Sequence, residues 1–68
     1  MQEMAYRITM TRRTGARLSL GIEEGSPPLF GSVLNAGIGQ ETVWYEIVGF
    51  SRCAEDGRAL DVLQAIEV

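Results

Sequence analysis

Arginine is the residue type best placed to do recognition chemistry here: the chain has six arginines, no lysine and no histidine. A guanidinium presents a rigid fork of donors that matches a carboxylate or a phosphate. The charge is unevenly spread. Up to Ile22, Arg7, Arg12, Arg13 and Arg17 stand against Glu3 alone, whereas from Glu23 onward Arg52 and Arg58 face eight carboxylates. The net charge of −3 therefore resolves into a cationic start and an acidic remainder. A GC-rich coding bias would give the same all-arginine usage without any function.

The other reactive groups point away from catalysis. Without histidine the commonest general base is missing, and a serine or cysteine nucleophile lacks its usual partner. Cys53 follows Arg52, but Glu55 and Asp56 oppose any activation of its thiol, so it reads as inert. The pairs Glu23-Glu24 and Glu55-Asp56 fall at turns, where carboxylates are solvated. Gly37-Ile38-Gly39 lacks the rest of a phosphate-binding fingerprint. One cysteine without histidine cannot complete a four-ligand zinc shell or an internal disulfide. These residues lead us to expect no catalytic group, no metal and no cofactor.

The elements that must position the arginines are strands. From Ala5 to Thr11, Tyr6, Ile8 and Met10 alternate with Arg7, Thr9 and Thr11, which is a half-buried strand. After Arg12-Arg13-Thr14-Gly15, Leu18, Leu20 and Ile22 alternate with Arg17, Ser19 and Gly21. Gly15 supplies the positive φ of a short bulged hairpin loop. Such a hairpin gathers Arg7, Thr9, Thr11, Arg13, Arg17 and Ser19 on one polar face, and all of these but Ser19 form the candidate ligand-binding set. Pro27-Pro28 then ends the ladder and makes a connector. A third strand is expected over Leu29 to Leu34, closed by a loop at Asn35-Ala36-Gly37-Ile38-Gly39.

Thr42 to Arg52 is the strongest strand of all, rich in aromatic and β-branched residues, and Gly49 within it suggests a bulge or bend. Its apolar residues fall on both faces: Trp44, Val48 and Phe50 on one, Val43, Tyr45 and Ile47 on the other. Glu55-Asp56-Gly57 is a turn signal. Arg58 to Val68 fits both periods, and the preceding turn favours a strand over a short C-terminal helix.

Five short strands in 68 residues predict a single all-β domain spanning 1–68. It resembles a small five-stranded barrel or roll, SH3-like or OB-like, in strand count and turn spacing alone. A domain of this size buries only ~60% of the surface of its unfolded chain and nets ~3 to 5 kcal/mol from one core. With no disulfide available, tight packing or self-association must supply the rest. The two-sided fourth strand suggests a subunit interface built on Tyr6, Trp44, Tyr45 and Phe50, since aromatic residues are the usual anchors of such patches.

The resulting expectation is a non-enzymatic binding module that forms a homo-oligomer and engages an acidic protein surface or a small anion such as a nucleotide. A chain this short suits an accessory or inhibitory factor of bacterial or phage origin. A small barrel binding single-stranded nucleic acid is the alternative, weakened by net acidity and the absence of lysine. An enzyme whose site forms between subunits is a third reading. The lone cysteine and the absence of a leader pattern in MQEMAYRITM point to the cytoplasm, and no apolar run is long enough to span a membrane.

Overall fold

The N-terminal alternation forms β1 (Ala5–Thr11) and β2 (Arg17–Glu24), followed by β3 (Val33–Ile38), β4 (Glu41–Glu55) and β5 (Arg58–Glu67). This computed structural model describes residues 4–55 and 57–68. The strands make one sheet in the order β2-β1-β5-β4-β3, curled into a half-barrel. Every pairing is antiparallel except that of β1 with β5, which is parallel. An N-terminal hairpin and a C-terminal three-strand meander thus meet along their first and last strands, with Gly25 to Ser32 crossing between them.

The first hairpin closes as its sequence predicts. The Arg12 N–H donates to the Ala16 carbonyl at 2.7 Å, the Gly15 N–H donates to the Arg12 carbonyl at 2.8 Å, and Gly15 has φ 93°. The concave face carries the core: Ile8, Met10, Val43, Tyr45, Ile47, Leu63 and Ala65 are buried, with Tyr6, Leu18, Leu20 and Leu34 packed around them. Ala5 and Leu60 are buried outside this cluster.

Arg58 to Glu67 is strand, so the alternative of a C-terminal helix is not realised. Its double periodicity has a simple origin. As a central strand β5 carries apolar residues on both faces, Leu63 and Ala65 inward, Val62 and Ile66 outward, and such a strand loses clean alternation. Of the expected turn at Glu55-Asp56-Gly57, Asp56 lies outside the described residues.

Three expectations need correction, all for local backbone reasons. The third strand runs over Val33–Ile38 rather than from Leu29 to Leu34. Leu29 to Ser32 is instead a turn in which the Ser32 N–H donates to the Leu29 carbonyl at 3.1 Å and Gly31 sits at φ 87°, the position where a type II turn demands glycine. Asn35 and Gly37, read as loop residues, lie within the strand, and the actual loop is Gly39-Gln40.

The second correction concerns Ile22. Gly21, at φ 92°, opens a bulge: Arg7 pairs with Ile22 but Thr9 pairs with Ser19. Side-chain parity flips there, so Ile22 leaves the face of Leu18 and Leu20 and is half exposed.

The third is the expected bulge at Gly49, which is present but has a consequence the alternation hid. Ile47 pairs with Ala65 and Gly49 with Gln64, leaving Val48 as the extra residue. Beyond it Phe50 pairs with Leu63 and Arg52 with Asp61, on the concave side. Trp44 and Phe50, expected on one face, are therefore on opposite faces.

Candidate functional site

The arginine face forms on the convex side of the β1–β2 hairpin. Thr11 stands directly opposite Arg17 and Thr9 opposite Ser19, with Arg7 two residues along β1. Arg17 and Ser19 are exposed, and Arg7, Thr9 and Thr11 are partly exposed. Thr9, Thr11 and Arg17 line one wall of a shallow depression of about 340 Å³, whose other wall is Val48, Val62, Gln64 and Ile66. Strand pairing thus brings together four of the five proposed ligand residues. Arg13 stands apart, exposed in the hairpin loop beyond the ladder.

Arg12, which the sequence did not single out, makes two ion pairs. Its Nε donates to Glu67 Oε1 at 3.1 Å and its Nη2 to Glu41 Oε1 at 3.0 Å. The Arg13 backbone N–H also donates to Glu67 Oε1, at 3.0 Å. One guanidinium and two carboxylates thereby tie the first hairpin loop to the end of β5 and the start of β4. The Arg12 side chain and then the Arg13 N–H hold the Glu67 carboxyl below its ordinary range, and the hydrogen bonds to Glu67 and then Glu41 raise Arg12. Long-range pairings of this kind leave no sequence signal, because the three residues are brought together only by strand order.

The four proposed interface aromatics do not form one patch. Trp44 is on the convex face and 51% exposed, while Tyr45 is buried and Tyr6 lies beside it on the concave side. Tyr6 and Tyr45 line a cleft of about 450 Å³ with Ile8, Leu20, Glu23, Pro28, Leu34 and Ala36. The cleft is the seam between the edge strands β2 and β3, which the half-barrel leaves open. Burial there pushes the Tyr45 hydroxyl above its usual range, with smaller contributions from Tyr6 and Glu23.

Phe50 belongs to a different surface. With Pro27, Pro28, Leu29, Phe30 and Leu63 it lines a groove of about 280 Å³, closed at one end by the Arg52 Nε to Asp61 Oδ1 ion pair at 2.9 Å. Leu29 is 79% exposed, Phe30 74% and Phe50 67%, which makes this the most apolar exposed surface of the described chain. Reading Leu29 and Phe30 as strand concealed it. The Pro-Pro before them and Gly31 after them are the turn signals that could have revealed it.

No family model, curated protein or solved structure matches the chain. Function must therefore be argued from the surfaces themselves. Among the described residues no three metal-ligating side chains converge, no buried side-chain polar atom lacks a partner, and Cys53 is exposed. No described helix is long and apolar enough to cross a membrane.

Proposed function

We propose that this protein is a non-enzymatic binding module of the small-barrel kind, SH3-like or OB-like in its use of a curled sheet, that self-associates and acts as an accessory or inhibitory factor in the cytoplasm. Its arginine face engages an acidic protein surface or a small anion. The observation that carries this reading is the pairing of Thr11 with Arg17 and Thr9 with Ser19 beside Arg7, which puts guanidinium and hydroxyl donors on one exposed side of one hairpin. Guanidinium forks flanked by hydroxyl donors suit carboxylate and phosphate oxygens. Self-association draws support from the size of the chain, since a 68-residue domain with one cysteine has no internal disulfide and gains stability by covering further surface.

The single-strand nucleic-acid reading uses the same arginines but needs stacking platforms next to them. Tyr45 is buried and Tyr6 faces the concave side, away from Arg7 and Arg17, whereas Trp44 is exposed on their convex face but on β4, with β5 between. One exposed aromatic falls short of the row of platforms a single strand stacks on, which favours the protein or small-anion reading.

The test replaces Arg7, Arg13 and Arg17 together by Gln and compares variant with wild type for binding a polyglutamate peptide, pyrophosphate and a single-stranded oligonucleotide at low salt. Binding of the peptide or pyrophosphate that is lost in the variant supports the proposal. A wild type that binds neither, or binding that survives the substitutions, refutes it, and tight binding of the oligonucleotide alone moves the assignment to nucleic acid.

A further inference from the structure

The two edges of the sheet are not alike. β2 carries Arg17, Glu23 and Glu24 and is bent by its Gly21 bulge, features that discourage strand addition. β3, Val33-Leu34-Asn35-Ala36-Gly37-Ile38, has no charge, no proline and an unbroken register with β4. It is an edge without the usual protections.

The register fixes which of its backbone groups are open. Ile38 pairs with Glu41 across the two-residue loop Gly39-Gln40. That pair must exchange both N–H···O bonds, because the alternative pattern would bond the two loop residues to each other. Bonded pairs then recur at Ala36 and Leu34, and the Ile47 N–H donating to the Ser32 carbonyl at 2.9 Å continues the series. The N–H and C=O groups of Val33, Asn35 and Gly37 consequently point away from β4, to the open side. All three residues are exposed.

We infer that β3 is the site of self-association, pairing antiparallel with β3 of a second copy about a two-fold axis at Asn35. This rests on the self-associating module proposed above and specifies its interface. A two-fold perpendicular to the sheet keeps convex face beside convex face, and bonding requires outward groups on both strands. One register satisfies both conditions in full: Val33 opposite the partner copy's Gly37, Asn35 opposite the partner copy's Asn35, and Gly37 opposite the partner copy's Val33. Three bonded pairs exchange about six main-chain hydrogen bonds. The two asparagine amides face each other on the convex side, and Leu34 meets the partner copy's Ala36 at the mouth of the concave cleft. A second copy fits this edge because β3 is uncharged along its whole length, so two copies meet without opposing like charges.

The experiment measures oligomeric state by native mass spectrometry and sedimentation, then cross-links. Wild type is expected to be a dimer at micromolar concentration. Gly37→Lys should weaken dimerisation about tenfold or more by charging the edge. It should still fold, since Gly37 has no positive φ and an added Cβ would meet nothing within 4 Å. Asn35→Pro removes one outward N–H and leaves the β4 ladder intact, and should act likewise. In a Cys53→Ser background, Asn35→Cys should oxidise to a disulfide dimer, because directly opposed residues of a bonded pair lie about 5.5 Å apart between Cα atoms. Ala36→Cys should not, being offset from its own copy by two residues. A monomeric wild type would overturn both the self-association reading and this interface. A dimer that survives Gly37→Lys and Asn35→Pro, or that cross-links through residue 36 in preference to residue 35, would overturn the interface alone.

Discussion

Ile47 and Phe50 stand three residues apart in the same strand, and their burial predicts a reversal of their expected importance. By size and aromaticity Phe50 looks like the anchor. In the fold Ile47 is 1% exposed at the centre of the core, whereas Phe50 is 67% exposed. Truncating a fully buried isoleucine to alanine costs about 3 kcal/mol in lost transfer energy and residual cavity. A phenylalanine that is two-thirds exposed retains only about a third of its burial value, so Phe50→Ala should cost about 1 kcal/mol. Against a net stability of ~3 to 5 kcal/mol for a domain this small, Ile47→Ala removes most of the margin and Phe50→Ala little of it. With a urea slope of about 1 kcal/mol per molar, the midpoints should fall by about 3 M and 1 M respectively. Far-UV circular dichroism is the suitable probe, because Trp44 is already half exposed and its emission will change little. Both variants must be measured at one fixed low protein concentration, since association adds apparent stability by mass action. Equal shifts, or a larger one for Phe50→Ala, would refute the placement of Ile47 at the centre of the core and of Phe50 at its exposed rim.

Two further outcomes follow from the ion pairs and the backbone. The folded-state pKa of Glu67 is lowered, so its contribution to stability is present above the ordinary carboxylate value of 4.5 and is lost as pH falls through the folded value. Glu67→Gln should therefore flatten the fall of urea midpoint with pH on the acid side, and an unchanged acid slope would deny the Arg12 pairing its role. Gly21→Ala should cost about 1 to 2 kcal/mol because φ is 92° there, although nothing lies within 4 Å of the added methyl. Gly37→Ala, equally uncrowded and without positive φ, should cost almost nothing. Similar melting temperatures for these two variants would mean that the Gly21 backbone is not strained by a side chain.

Alternation was enough to locate β1 and most of β2, whereas β4 was legible from its aromatic and β-branched residues and β5 from the turn signal before it, since both carry apolar residues on two faces. Alternation also placed the arginine set, Arg13 excepted: Arg7, Thr9 and Thr11 share a parity, and the Gly15 loop puts Arg17 and Ser19 across from them. It failed where one extra residue resets parity. Ile22 and Phe50 each lie just past a bulge, and a pattern read straight through a glycine assigns everything after it to the wrong face.

What the sequence determined by itself is thus four of the five strands, the first hairpin and, Arg13 apart, the composition of its arginine face, all set by contacts between near neighbours. What only the tertiary structure decided is the parallel union of β1 with β5, the Arg12, Glu41 and Glu67 clasp, and the identity of the open edge. Those depend on which strands sit side by side. Strand order is chosen by the joint burial of one concave face, a property of the whole sheet that no single segment encodes.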